Sequence, residues 1–511
     1  MATFTRVSDD ETPSIILDTS KRLSKIDRNI YGGFTEHMGR CIYGGVYDPN
    51  NPLSDEHGFR KDVLKALKEL QMPVVRYPGG NFCATYHWRD GVGPKKDRPA
   101  RPELAWVTTE TNQFGTDEFM KWCEVLGTEP YICLNFGTGT LDEALGWLEY
   151  CNGTRDTYYA NLRRVNGHPE PYNVKYWALG NEMWGEWQVN QMTPEQYAQQ
   201  ALSWAKALKL LDPSIKLILG GSDGLAGTLW DSHVLHHCLQ PIADHFSPFP
   251  KTPLIDMHSI HIYTIAKDHI PNALAPLAAE KAIQTTSALI DAALIANKVV
   301  IKDPSWRPKI CFDEWNVWDP VRAEGEKGGE ERYTLSDALA VGIWLNVFVR
   351  QSDKLGMACL AQAVNVLGPL LTSKEGMVKQ TIWWPLWLFS KYMKGERVSA
   401  WVKCGAYKGE TEPKWLGAMR EVGWLDVSAC VDEDGWCNLV VVNINEQKEW
   451  ESEIEGLKAG KVIVWTVTGS GVWVTNVKGN DKEVVANESA WNGEGKFTFP
   501  KHSLTMLRWR I

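Results

Sequence analysis

The 511-residue chain predicts an α/β protein, a (β/α)8 barrel followed by a C-terminal antiparallel β-sandwich of jelly-roll type. Three observations carry this reading. Eight short apolar runs between Ile30 and Gln362 alternate, for the most part, with helical patterns. Such alternation builds a parallel sheet, and eight units suggest a closed one. After about residue 392 the helical period stops, and apolar or alternating runs are separated by Gly, Asn and Asp turns instead, as in a sandwich. The length is also too great for a single small core. The division expected is 1–29 as an N-terminal segment joining the sandwich, 30–391 as the barrel and 392–511 as the sandwich. An open doubly wound sheet is the structural alternative.

Taken in order, Ser14 to Asp18 reads as a strand that precedes the barrel. Ile30 to His37 is the first barrel strand, ending in Glu36-His37. Glu56 to Leu70 is helical, with Val63, Leu64, Leu67 and Leu70 on one face. Pro73 to Asn81 is a strand broken by Pro78-Gly79-Gly80. A helix from Phe119 to Leu126, a strand from Pro130 to Asn135 and a helix from Leu141 to Tyr150 follow. Val174 to Leu179 is the fourth barrel strand. Pro194 to Leu211 is a helix with proline in its first turn, and Lys216 to Gly220 is the fifth strand. Ile255 to Tyr263, Pro308 to Glu314 and Met357 to Gln362 complete the eight, with helices over Leu277 to Ala296 and Leu335 to Val349 between them. The sandwich strands are Trp436 to Asn443, Lys461 to Val467, Gly471 to Thr475 and Leu504 to Ile511.

Composition excludes several functions. Hydrophobic content of 44% and charged content of 23% are those of a globular protein. A net charge of −9 argues against binding nucleic acid or anionic membrane non-specifically. No apolar run reaches the length of a membrane span. The N-terminus shows no apolar signal segment, and the 11 scattered cysteines form no CxxC pair. A cytoplasmic protein with reduced thiols is therefore expected, and the sequons at Asn152 and Asn487 read as chance. The 25 tryptophans suit sugar stacking or large cores alike.

In such a barrel the chemistry lies where strands end. Glu36, Arg76, Asn81, Asn181, Glu182, Tyr263, Glu314 and Gln362 all fall at those ends, after stretches too apolar to hold charge themselves. Glu182 ends the fourth strand and Glu314 the seventh, which places them across one mouth. Two facing carboxylates in a Trp-lined cleft suit glycosidic cleavage, one protonating the leaving oxygen while the other attacks or assists. Apolar surroundings and the indoles of Trp184 and Trp187 are expected to raise the Glu182 pKa. Arg76 is expected to keep a neighbouring carboxylate ionised. Asp313, alternating with Glu314, is expected to point away from the lumen as a supporting group. His258 and His261 fall on opposite strand faces, which spoils joint metal ligation, although His261 can reach the pocket. Phe136-Gly-Thr-Gly-Thr140 lacks the lysine of a phosphate loop. Trp383, Trp384 and Trp387 read as packing rather than a sugar platform. No metal and no cofactor is expected.

The blocks Tyr31 to Tyr47, Val75 to Asn81, Leu179 to Met183, Phe312 to Val317 and Ala361 to Val366 resemble the α-L-arabinofuranosidases of glycoside hydrolase family 51. They occur in family order and span most of residues 30–390. The resemblance implies a retaining, exo-acting hydrolase that releases terminal α-L-arabinofuranose from arabinan, arabinoxylan or their oligosaccharides. It implies Glu182 as acid/base and Glu314 as nucleophile. It also implies a sugar subsite lined by Glu36, Arg76, Asn81, Asn181, Tyr263 and Gln362, with Trp106 at its rim. A homo-oligomer is implied as well. One departure stands out: many members carry Asp-Gly-Pro-Trp after the acid/base block, where this chain has Trp184-Gly185-Glu186-Trp187. That stretch borders the leaving-group side. The alternatives are another retaining barrel glycosidase, an endo-glucanase or β-xylosidase, and a catalytically silent carbohydrate-binding protein that keeps the cleft.

Overall fold

The computed structural model describes residues 4–241, 253–301, 306–319, 329–457 and 460–511. Eight parallel strands close into a barrel: Gly32–Phe34, Val74–Tyr77, Glu129–Cys133, Tyr176–Leu179, Lys216–Leu219, Met257–Thr264, Lys309–Val317 and Leu355–Leu360. The last pairs with the first through Cys359 opposite Gly32. The closed barrel, and not the open sheet, is therefore the architecture. Its lumen is filled by Phe34, Val74, Tyr131, Cys133, Ala178, Ile218, Met257, Cys311 and Met357, all buried. This packed plug closes the lower barrel beneath the polar groups of the strand ends.

The helices form where their signals predict, with local corrections. Pro194–Leu211 is capped by Thr193, whose side chain and that of Gln196 satisfy each other's backbone amides. Leu277–Ala296 has the expected bounds. The helix expected from Glu56 begins only at Lys61. The Asp55 carboxylate accepts the His57 and Phe59 amides, and Gly58 adopts φ +86°, so a turn claims these residues first. The helices Tyr158–Val165, Thr228–Cys238 and Trp383–Tyr392 were not foreseen. Thr228–Cys238 carries three histidines and buries only four residues, so its apolar period is faint. Among the described residues no helix is long and apolar enough to cross a membrane.

The second sheet runs in the order Val485–Trp491, Val462–Thr468, Ser503–Arg510, Trp436–Asn443, Leu425–Val431, Glu396–Cys404, Ser14–Lys25, Trp450–Glu455 and Phe497–Phe499. Its pairings are antiparallel except at the N-terminal strands. Ser14–Lys25 pairs antiparallel with Glu396–Cys404 but parallel with Trp450–Glu455. One sheet face encloses its own core around Ile15, Val402, Val427, Leu439 and Phe499, and the other presents Val440, Val442, Leu504 and Met506 to the barrel side. Between barrel and sheet lies Leu335–Arg350, a helix buried on every side, as its largely apolar sequence requires, with Asn346 and Arg350 paired to Asp426.

Gly471 to Thr475 does not form the strand its alternation suggested. The Val474 and Val472 carbonyls accept the Leu335 and Ser336 amides at 3.0 and 2.7 Å. The segment thus satisfies donors that a helix N-terminus leaves open. Trp383 is buried with Trp384 and Trp387 packed around it, which bears out the packing reading of that cluster.

Candidate active site

The second barrel strand ends in Tyr77-Pro78-Gly79-Gly80-Asn81, and its two glycines set the spacing of the site. A Cβ on Gly79 would lie 2.6 Å from Glu36 Cγ, and one on Gly80 would lie 2.7 Å from Glu314 Oε1. Two carboxylates therefore press against bare backbone. Glu36 Oε1 accepts the Gly80 and Phe82 amides at 3.1 and 3.2 Å and the Trp106 indole N–H at 3.2 Å. Its Oε2 accepts Gln362 Nε2 at 2.9 Å. Burial, and then the charge of Glu314, push the Glu36 carboxyl up to about 7.

Arg76 stands at the centre of the floor, 1% exposed. Its Nη1 donates to Glu314 Oε1 at 2.6 Å and its Nη2 to Asn181 Oδ1 at 2.6 Å. Nε lies 3.4 Å from Asp313 Oδ2, and the guanidinium covers the Phe34 ring at 4.6 Å. Tyr263 donates its hydroxyl to the second Glu314 oxygen at 2.9 Å. Both Glu314 oxygens are thus held by donors, the arrangement that keeps a carboxylate aimed. No hydrogen bond joins Glu36 to Arg76; the guanidinium is spent on Glu314 and Asn181.

At the fourth strand end Gly180 turns the chain at φ +84°, and Glu182 itself sits at φ +47°. A non-glycine residue in this region is strained, and such strain gathers at functional sites. The turn is closed by the Gly185 amide on the Glu182 carbonyl at 2.8 Å. Glu182 Oε2 accepts the Trp187 indole N–H at 3.0 Å. Its Oε1 lies 2.9 Å from His261 Nδ1. Trp184 turns aside to donate to the Gly221 carbonyl and meets Trp187 edge-on.

Two expectations are corrected here. Burial does push the Glu182 carboxyl up, but the hydrogen bond and positive charge of His261 outweigh it, and the group lies below its ordinary range. His261 is shifted the opposite way, towards its charged form. Burial opposes that charge, yet Glu314, Asp313 and Glu182 together lift the imidazole to about 10. Asp313, expected to face away, is buried in the lumen beneath Glu314. It accepts Tyr131 and Ser259 hydroxyls at 2.7 and 2.5 Å and lies 3.3 Å from His261 Nε2. Strict alternation fails because the pairing register shifts between Phe312 and Trp315, and in the neighbouring strand between Ser259 and His261. Such irregularities let successive residues face one side. Arg76, and then His261, hold Asp313 well below the usual carboxylate range despite its burial.

All nine residues singled out at the strand ends and rim converge. Asn81 Oδ1 accepts Gln188 Nε2 at 2.6 Å and lies 3.4 Å from Asn181 Nδ2. Trp106 reaches the pocket from the hairpin Arg101–Glu103 and Thr108–Glu110, held by Glu103, which accepts the Ala105 and Trp106 amides. Gln188, Asp313 and Trp318 belong to the same neighbourhood without having been placed there from sequence. Trp318, 38% exposed, meets Tyr263 edge-on at 5.4 Å. Its sole sequence signal was an aromatic four residues beyond Glu314. His258 points the other way, 3.2 Å from the buried Asp231. Glu182, His261 and Glu314 each offer a donor atom within 4.8 Å of the others, the one such triplet among the described residues.

Comparison with known proteins agrees with this geometry. Residues 66–264 match the family described as α-L-arabinofuranosidase 1 domain, and residues 313–503 the α-L-arabinofuranosidase C-terminal domain. The chain is 67% identical over 510 residues to a probable α-L-arabinofuranosidase C of Aspergillus fumigatus, covering 100% of both. It is 34% identical to the intracellular exo-α-(1→5)-L-arabinofuranosidase 1 of Bacillus subtilis, over 97% of this chain and 98% of that one. The solved structure of the thermostable family 51 α-L-arabinofuranosidase from Thermotoga petrophila superposes with a TM-score of 0.86 at 38% identity, covering 98% of this chain and 100% of its own. The chain belongs to the α-L-arabinofuranosidases of glycoside hydrolase family 51.

Proposed function

We propose that the enzyme releases terminal non-reducing α-L-arabinofuranosyl residues by double displacement with retention, using Glu314 as nucleophile and Glu182 as acid/base. The observation that carries this reading is the separation of the two carboxylates. One oxygen of each lies within 4.8 Å of the other. Retaining glycosidases hold their carboxyls about 5–5.5 Å apart, whereas inverting ones leave about 6.5–9.5 Å for a water.

In the first step Glu314 attacks the anomeric carbon as the glycosidic bond breaks. Arg76 and Tyr263 aim the carboxylate and hold its charge until that charge passes into the new bond. The proton for the leaving oxygen comes from the Glu182–His261 pair. It rests on His261 and is delivered through Glu182 as the oxygen becomes basic. In the second step Glu182 takes a proton from water, and the water oxygen displaces Glu314 from the same carbon. Glu36, Asn81, Asn181 and Gln362 bind the sugar hydroxyls, and Trp106 closes the rim. The attack is exo, on arabinan, arabinoxylan or their oligosaccharides. The exo-acting relative from Bacillus subtilis is in keeping with that mode.

Proton NMR of the anomeric product during hydrolysis of 4-nitrophenyl α-L-arabinofuranoside tests the proposal. The α-furanose is expected first. Initial β product would mean that water, not Glu314, attacks the sugar. No turnover of this substrate alongside cleavage of aryl xylosides or glucosides would move the substrate to the rival glycosidases.

A further inference from the structure

Directly beneath the catalytic floor lie two thiols that the glycosidase chemistry does not use. Cys133 ends the third barrel strand, and Cys83 lies in the short helix Asn81–Thr85 that follows Gly79-Gly80. Their sulfurs are 3.4 Å apart. Both side chains are buried, at 0% and 1% exposure. They stand at the end of the Arg76 contacts. Arg76 Nη2 donates towards Cys133 Sγ at 3.8 Å, Cys133 Sγ touches Cys83 Sγ, and Cys83 Sγ also lies 3.7 Å from the Leu134 carbonyl oxygen. The same Arg76 nitrogen holds Asn181, and its neighbour Nη1 holds Glu314.

We propose that Cys83 and Cys133 are a site of reversible oxidative modification, in which a small hydroperoxide links them as a disulfide and switches the enzyme off through Arg76.

The two sulfurs are chemically unequal, which gives the reaction its order. Burial pushes both thiols up. At Cys133 the Cys83 thiol and the Arg76 guanidinium outweigh that push and leave it below the ordinary thiol range, while Cys83 stays well above it. Cys133 therefore attacks. Its sulfur bonds to one peroxide oxygen as the O–O bond breaks, and the departing hydroxide takes the Cys133 proton as water. The Cys83 sulfur then attacks the resulting sulfenic sulfur, forming S–S and breaking S–O. The second hydroxide leaves with the Cys83 proton. Two thiols and one hydrogen peroxide give one disulfide and two waters.

Linking draws sulfurs 3.4 Å apart to about 2.05 Å. Cys133 is pulled from Arg76, and the Asn81–Thr85 helix is pulled toward the third strand with Asn81 on it. A displacement of this order at a positioned catalytic group costs about 10²-fold. Burial sets the selectivity, since hydrogen peroxide approaches water in size and bulky disulfide reagents do not.

The test treats the full-length, pre-reduced enzyme with hydrogen peroxide and, separately, with 5,5′-dithiobis(2-nitrobenzoate). Activity on the aryl arabinofuranoside is read beside peptide mapping without reduction. The expected result is a peptide linking Cys83 to Cys133, about 2 Da lighter than its two parts. Its fraction should equal the fraction of activity lost, both should reverse with dithiothreitol, and the bulky reagent should produce neither. Cys83→Ala, active when reduced, should form no link and resist the reversible loss. Both cysteines still free in peroxide-inactivated enzyme would overturn the proposal, as would equal inactivation of the native enzyme and Cys83→Ala. The peptide map does not depend on the roles given to Glu182 and Glu314, so failure here is separate from failure of the glycosidase mechanism.

Discussion

His261 Nδ1 stands 2.9 Å from Glu182 Oε1, and this contact, rather than the apolar walls around it, governs the Glu182 carboxyl. The imidazole is itself gripped from below by Asp313 at 3.3 Å and flanked by Glu314 at 3.6 Å. Two cations, Arg76 and His261, therefore alternate with the anions Asp313, Glu314 and Glu182 in a buried cluster. Each charge is compensated by contact with opposite charge, the condition under which buried ions are tolerated.

Replacing Glu314 by alanine is expected to abolish turnover of both aryl and natural substrates. Glu182→Ala should spare the first step with a 4-nitrophenyl leaving group, which needs no proton, and slow the second. With a sugar leaving group the loss should be about 10²–10⁴-fold. Pre-steady-state kinetics should then show a burst of nitrophenol in the Glu182 variant. Equal loss in both variants on the aryl substrate would undo the division of roles.

Stability should fall as pH rises, in two windows. Glu36 has a folded pKa of about 7, above its ordinary value. The fold favours its neutral form, so its contribution is full below about 4.5 and is lost as pH rises through 7. His261 is raised to about 10. Its contribution is full below about 6.5 and is lost as pH rises through 10. Glu36→Gln removes the first window. The melting temperature of that variant relative to the native enzyme should climb between pH 5 and 8 and then level off. A constant difference across that range would contradict the burial of an ionisable Glu36.

Gly80→Ala tests how closely the carboxylates are packed. The new methyl would arrive 2.7 Å from Glu314 Oε1, so the nucleophile must shift. A misplacement of about 1 Å costs about 10²-fold in kcat, while the melting temperature should change little beside the activity. Unchanged kcat would show that Glu314 has room the geometry denies it.

The junction of barrel and sheet carries its own buried ion network. Glu280 accepts Arg350 Nε at 3.0 Å and Arg420 Nη1 at 2.8 Å, and Arg350 also reaches Asp426 at 2.8 Å. Burial pushes the Glu280 carboxyl up, but the two arginines overcome it and bring it to about 2. Glu280→Ala leaves Arg350 with Asp426 as its one remaining carboxylate partner and should cost at most about 3–5 kcal/mol, seen as a lower denaturation midpoint in urea. The kcat of the folded fraction should be unaffected, because the network does not touch the site. A midpoint within error of the native one would mean that water screens the pair.

The barrel was legible because each strand is a short apolar run between helical periods. Apolar patterning acts locally and leaves its period in the chain. Positions whose side chains must face the mouth were legible too, since Glu36, Arg76, Asn181, Glu182 and Glu314 interrupt or end runs that otherwise exclude charge. The N-terminal strand was seen, though its parallel pairing with Trp450–Glu455 was not. Strand neighbours some 440 residues apart leave no mark in either sequence.

What only the tertiary structure decided is the direction of individual side chains and the charge they feel. Asp313 follows a register shift made jointly with an adjacent strand, and alternation within one strand cannot report a slip against its neighbour. Gly471 to Thr475 has the alternation of a strand, yet its carbonyls are claimed by the helix beginning at Leu335. The sequence by itself determined that a carboxylate stands at the end of the fourth strand among indoles. Whether that carboxylate is raised or lowered depends on His261, brought from 79 residues away. Electrostatic energy varies with distance in space, and only the closed barrel sets that distance.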